Sequence, residues 1–113
     1  MNNLLDRFRE VYNLPENTSF KRIELENAII EKFGDLYYNK YVDIFTNDKS
    51  RYTASCKNKW GLYEITSGCH DNIEDSLLSL FVKYGIEPEE GTEEYFIENF
   101  KEDFHEIVKE VYK

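Results

Sequence analysis

The chain has 113 residues, of which 41% are hydrophobic, 16% aromatic and 33% charged, and its formal charge is −9. That length suits one domain spanning 1–113, and aromatic content of this order argues against disorder. The charge is uneven: Met1–Cys69 holds ten acidic and ten basic side chains, while His70–Lys113 holds 13 acidic and 4 basic ones, so the anionic field belongs to the C-terminal part, where it repels nucleic acid and anionic membrane and attracts basic proteins.

Residues 4–12 predict a short helix, because Leu4, Leu5, Phe8, Val11 and Tyr12 share one face. Asn2 or Asn3 is its cap, and Leu14-Pro15 ends it. A second helix is predicted from Phe20 to Phe33, capped by Thr18 or Ser19. Phe20, Ile23, Ile30 and Phe33 lie on its apolar side, with Leu25, Ala28 and Ile29 broadening it. Gly34 suits the position after its last turn.

From about residue 36 the helical period disappears and β-branched and aromatic residues become dense. Three antiparallel strands are predicted, at Tyr37–Phe45, Arg51–Cys56 and Trp60–Thr66. Asn47–Ser50 reads as a turn and Lys57–Lys59 as a hairpin. In the second strand Tyr52, Ala54 and Cys56 alternate with Arg51, Thr53 and Ser55, a half-buried pattern. Gly61 beside Trp60 marks a possible bulge site.

A third helix is predicted from Asn72, with Asp75 three residues on in a capping-box arrangement. Its stripe is Ile73, Leu77, Leu80, Phe81 and Tyr84, and Gly85 closes it. After an acidic connection, Ile86–Gly91, a fourth helix begins at Thr92. Phe96, Phe100, Phe104, Val108 and Tyr112 recur every four residues, as do Glu94, Glu98, Glu102, Glu106 and Glu110. The two series are offset by about 200° around the axis, so one face is aromatic and the other a ladder of carboxylates. Together these elements predict an α+β fold in two packed layers, with at least one face of the sheet against the Phe stripe of the last helix.

The glutamate ladder, with Glu89, Glu90, Asp71, Glu74 and Asp75, is the candidate partner-binding surface. The plain alternative is a solvated helical face: Lys101, His105, Lys109 and Lys113 each follow a ladder glutamate by three residues and offset part of its repulsion. In the sheet region, lysines and arginine interleave with Tyr37, Tyr38, Tyr41, Tyr52, Trp60 and Tyr63. That pattern suits base stacking, but it equally describes a small sheet with cationic edges. Cys69-His70-Asp71 carries triad residue types, yet triads assemble across a fold and not along three consecutive positions. Cys56, Cys69, His70 and His105 match no compact zinc spacing. The expectation is a protein that is not an enzyme, has no cofactor and no metal, and lies in a reducing cytoplasm without a signal peptide or a membrane span.

By size, charge and composition, and through no motif, the chain looks like small acidic phage-encoded inhibitors of bacterial defence, of the anti-CRISPR and anti-restriction type. The resemblance implies stoichiometric obstruction of a basic partner, a nucleic-acid-binding enzyme, by a nucleic-acid mimic that does not itself bind nucleic acid. An immunity-type inhibitor or adaptor for another basic protein, and a ligand or nucleic-acid domain built on the Tyr-rich sheet, are the alternatives.

Overall fold

The structure, a computed structural model, describes residues 3–43, 49–57, 64–92 and 100–113. Among the described residues, four helices and a three-stranded sheet follow in chain order: α1 (Leu4–Val11), α2 (Arg22–Phe33), β1 (Leu36–Asp43), β2 (Lys49–Lys57), β3 (Glu64–Thr66), α3 (Ile73–Tyr84) and α4 (Lys101–Val111). The sheet is antiparallel in the order β1-β2-β3. The fold class is therefore α+β. Most of the predicted turn and hairpin, Trp60–Tyr63 and the first turns predicted for the last helix lie outside the described residues.

Two helix starts follow their local chemistry. The Asn3 side chain accepts from the Asp6 amide at 2.8 Å, and that of Asn72 from the Asp75 amide at 2.7 Å. Each satisfies an N–H that the helix itself leaves without a partner. The start of α2 departs from expectation. Its cap residue is Lys21, and neither Thr18 nor Ser19 caps it by side chain. The phenol of Tyr112, 91 residues away, accepts from the Lys21 amide and donates to the Ser19 carbonyl, both at 2.9 Å. A tertiary contact thus replaces one half of a capping box.

The buried seam of α2 is Leu25, Ile29 and Phe33, spaced four apart. This corrects the predicted face: Ile23 and Ile30 point outward. Apolar residues surround α2 widely enough that periodicity alone did not select the seam. Phe33, common to both faces, stacks on Phe104 at 5.4 Å.

Within the sheet, Leu36 pairs with Cys56 and Asp43 with Lys49, which fixes the β1–β2 register. Ala54, Cys56 and Ile65 are buried on the side that α3 covers. Ser55 is buried as well, so the predicted alternation breaks in the central strand. Past β3 the chain stays beside β2. Ser55 pairs with Thr66, but Tyr52 bridges His70, leaving three residues opposite two. This is a bulge, with Gly68 at a φ of +83°, a conformation glycine adopts at no steric cost. Ser67 holds it: its hydroxyl accepts from the Ala54 amide and donates to the Gly68 carbonyl.

α3 is buried nearly all round, from Ser76 to Tyr84. Ser76 donates to the Tyr52 carbonyl at 2.9 Å and Ser79 to the Ser67 carbonyl at 3.0 Å. Small hydroxyl side chains let the helix approach the strand backbone closely. On its other sides Phe81 meets Phe8 of α1 at 5.9 Å and Phe104 of α4 at 5.2 Å. The Phe stripe expected to face the sheet has its ring partners on α2 and α3: Phe104 contacts Phe33, Phe81 and Tyr84. Each such ring contributes about 1.5–3 kcal/mol by burial, with up to about 1.5 kcal/mol more for a well-oriented pair.

Candidate functional site

The predicted acidic residues divide into two groups, because α3 separates them. Asp71, Glu74 and Asp75 stand at its N-terminus. Glu89 and Glu90 follow its C-terminus, just past Glu87, which reaches Lys101 at the start of α4. A twelve-residue helix is about 18 Å long, so the groups stand at opposite ends of a rod. They do not form one continuous wall. Glu94 and Glu98 lie outside the described residues.

Several of these carboxylates have internal partners. Asp75 reaches the Asn72 side-chain amide at 3.1 Å and belongs to the cap. Asp71 lies 3.6 Å from Arg51 of β2. Glu106 is 2.6 Å from Lys32 of α2, which also lies 3.4 Å from Asp103. Hydrogen bonding to Lys32 holds the Glu106 carboxyl below its ordinary range, and the same contact raises the Lys32 ammonium. Two cations from the balanced half of the chain are thus spent on the acidic half. Counting Lys32 and Arg51 with His70–Lys113 turns its −9 into −7.

The local pairing expected along α4 is kept in part: the charge of Lys109 acts on Glu106, while Glu98, expected beside Lys101, lies outside the described residues. Lys113 does pair with Glu110, at 2.9 Å. Lys101 turns instead to Glu87 at 3.2 Å. His105, expected at the surface, faces inward: its Nε2 lies 2.9 Å from the Gly85 carbonyl, and its ring packs 4.6 Å from Tyr12. The Tyr12 hydroxyl in turn donates to the Phe81 carbonyl, and burial pushes that phenol above its usual range. Gly85 makes room for this cluster. A Cβ there would sit 2.5 Å from the Tyr12 hydroxyl and 2.7 Å from Val11.

What remains outward is the junction between α3 and α4. Glu89, Glu90 and Glu102 are exposed, and among the described residues no Lys, Arg or His comes within 4 Å of their carboxylates; the same holds for Glu74 at the far end. Glu87 shares the junction and is largely exposed despite Lys101. Chemically this is an array of hydrated anions that offers hydrogen-bond acceptors and no donors.

The other predicted chemistry is dispersed. Cys69 is exposed, with the Thr53 hydroxyl 3.8 Å from its sulfur. His70 bridges Tyr52 by backbone, and Asp71 turns to Arg51. Cys56 is buried, and desolvation first, then the charge of Glu64, pushes its thiol up to about 12. Among the described residues no three His, Cys, Asp or Glu side chains gather to hold a metal ion. On the sheet, Tyr38 donates to Glu26, Tyr37 donates to Glu64, and Lys40 lies 5.9 Å from the Tyr52 ring. No described helix is long and apolar enough to cross a membrane.

Sequence reasoning missed the two cross-chain cations and the inward turn of His105. Each depends on which elements meet in space, and no local spacing signals it. The chain matches no protein-family model, and no curated protein or solved structure resembles it at a significant level.

Proposed function

We propose that this chain is a binding protein that occludes a basic, nucleic-acid-binding partner through its acidic C-terminal part, acting stoichiometrically and without a cofactor. One observation carries it: Glu89 and Glu90 after α3 and Glu102 on α4 are exposed, and among the described residues no Lys, Arg or His lies within 4 Å of their carboxylates. Glu87 adds to the same field despite its contact with Lys101, whereas Glu110 is held by Lys113 at 2.9 Å. In this reading Asp71, Asp75 and Glu106 are discounted, because arginine, a cap and lysine already hold them.

A reason to favour binding over mere solvation is placement. A solvated face gains from interspersed cations. Here, among the described residues, Lys101 reaches Glu87 alone, and His105 turns inward. Unscreened carboxylates in one region raise the potential that steers a basic protein into contact. The helices are proposed to gather as one layer on the sheet, with the junction presented beyond it.

The test is capture from a nuclease-treated lysate followed by competition. An oligonucleotide should displace the captured protein if the carboxylates occupy a phosphate site. A basic partner that oligonucleotide leaves in place assigns the adaptor or immunity role instead. Glu89→Lys/Glu90→Lys/Glu102→Lys should abolish capture while leaving the circular dichroism spectrum unchanged. Undiminished capture by that triple variant refutes the assignment of the surface.

A further inference from the structure

We propose that the acidic surface is preformed, and that His105, seated between Tyr12 and the Gly85 carbonyl, is the positioning residue that holds the chain leaving α3 against α4 and so sets where Glu87, Glu89 and Glu90 stand relative to Glu102. The role rests on the reading of those carboxylates as a partner-binding surface. What prompts it is the way α3 ends. Gly85 follows the last turn with a φ of −83° and a ψ of −8°, a right-handed conformation open to any residue. No left-handed turn requires a glycine here. Close approach does: a Cβ would come within 2.7 Å of both Val11 and the Tyr12 ring.

Side chains from two other helices grip this helix end. The Tyr12 hydroxyl of α1 donates to the Phe81 carbonyl, which also accepts from the Gly85 amide at 3.0 Å. The Nε2 of His105, on α4, lies 2.9 Å from the Gly85 carbonyl, and its ring packs 4.6 Å from that of Tyr12. A carbonyl only accepts, so Nε2 carries the proton and donates it to this bond. The Gly85 carbonyl lies past the last helical turn, and the imidazole supplies it a donor. Next to this joint, Phe104 stacks on Tyr84 at 5.4 Å. Ring contacts of that kind tolerate sliding. A hydrogen bond fixes distance and direction, and a satisfied polar joint in a packed interior specifies one arrangement.

The segment that leaves α3 is fixed at further points. Glu87 meets Lys101 at 3.2 Å. Lys101 and His105 are one turn apart and about 40° apart around the axis of α4, so the chain from Gly85 to Glu87 lies along one face of that helix, running toward its N-terminus. On the same wheel Glu102 stands about 60° from His105. Farther on, the Glu89 carbonyl accepts from the Thr92 hydroxyl at 2.6 Å and from its amide at 3.2 Å. Gly91 has a φ of +89°, at the third position of this turn, where a type II turn requires a glycine. Glu89 and Glu90 therefore stand on closed backbone. Groups ordered before binding lose less freedom when a partner arrives, and the gain appears in how long the complex lasts.

Distance measurement and binding kinetics on the full chain test the proposal. In a Cys69→Ser background, nitroxides at Glu90→Cys and Lys109→Cys report the span from the turn to α4 by pulsed electron paramagnetic resonance. The parent should give one narrow distance. His105→Leu, similar in volume but without the donor, should broaden it, and His105→Gln, whose amide nitrogen can reach the same carbonyl, should restore it. A distribution as narrow in His105→Leu as in the parent overturns the proposal. The binding probe is an alanine-based helical peptide with arginine at every fourth position, at about 50 mM salt. Unlabelled His105→Leu should associate within about twofold of the parent rate, because steering depends on net charge, and dissociate about tenfold faster, with rescue by His105→Gln. Should His105→Leu not fold, Gly91→Ala replaces it: the added methyl meets no described atom within 4 Å, yet the φ of +89° is strained for alanine, so the turn alone is disturbed. If Glu89→Lys/Glu90→Lys/Glu102→Lys loses the peptide while the folded position-105 or position-91 variant dissociates no faster than the parent, the surface stands and the positioning role is overturned. If the triple variant binds the peptide as the parent does, the surface itself falls, and the positioning role with it.

Discussion

Replacing Tyr112 by Phe tests whether a residue at the far end of the chain caps α2. The substitution keeps the ring, and with it the 6.1 Å contact to Phe8 and the Lys21 ammonium 5.3 Å above the ring. It removes only the hydroxyl that joins the Lys21 amide and the Ser19 carbonyl. Capping contacts are worth about 0.5–2 kcal/mol. Both partners are near solvent, so water recovers part of the loss, and about 1 kcal/mol is expected. With a urea slope of about 1–3 kcal/mol/M, the unfolding midpoint should fall by roughly 0.3–1 M at unchanged slope. Amide exchange in the first turn of α2 should quicken in Tyr112→Phe beyond the rest of that helix, since local opening reports local loss. An unchanged midpoint together with unchanged exchange at residues 21–25 would show that the phenol contributes nothing to the cap.

Gly85→Ala should destabilise by about 1–3 kcal/mol, the usual cost of overpacking, because the Tyr12 hydroxyl it would strike is anchored on the Phe81 carbonyl; thermal unfolding measures this. A thiol reagent at neutral pH should modify Cys69 rapidly and Cys56 only on unfolding, given an exposed sulfur at one and burial with a raised pKa at the other. Glu106 binds protons less readily folded than unfolded, so its stabilisation is present above the unfolded carboxyl pKa and is lost as pH falls through the folded one. Its carboxyl resonance should therefore titrate at higher pH in Lys32→Gln than in the parent chain.

Elements with strong local signals were legible in the residues themselves. Asn3 and Asn72 announce helix starts by a side-chain acceptor that needs no distant partner. The stripe of α3 was read correctly but was too narrow. Ser76 and Ser79 are small and polar, and only the nearness of β2 and Ser67 turns them into buried donors. For α2 the periodicity admitted two faces. Ile23 and Ile30 were placed with Phe33, whereas the seam that won includes Leu25 and Ile29. The candidate site shows the same division. Spacing puts Glu102 and Glu110 on the face of α4 away from its aromatic stripe, and both are exposed. Spacing said nothing about Lys32 and Arg51, which approach Glu106 and Asp71 from elements 74 and 20 positions earlier in the chain.

The central claim is that exposed carboxylates around the α3–α4 junction recruit a basic nucleic-acid-binding protein. Stopped-flow association of the chain with the protein it captures, followed from about 50 to 500 mM salt, addresses it directly, since screening shortens the reach of such a field to a few ångströms. The account predicts a rate that falls at least tenfold over this range, and a slow, nearly salt-independent rate for the variant reversed at Glu89, Glu90 and Glu102. Equal rates for the two proteins, flat across all salt concentrations, would contradict it.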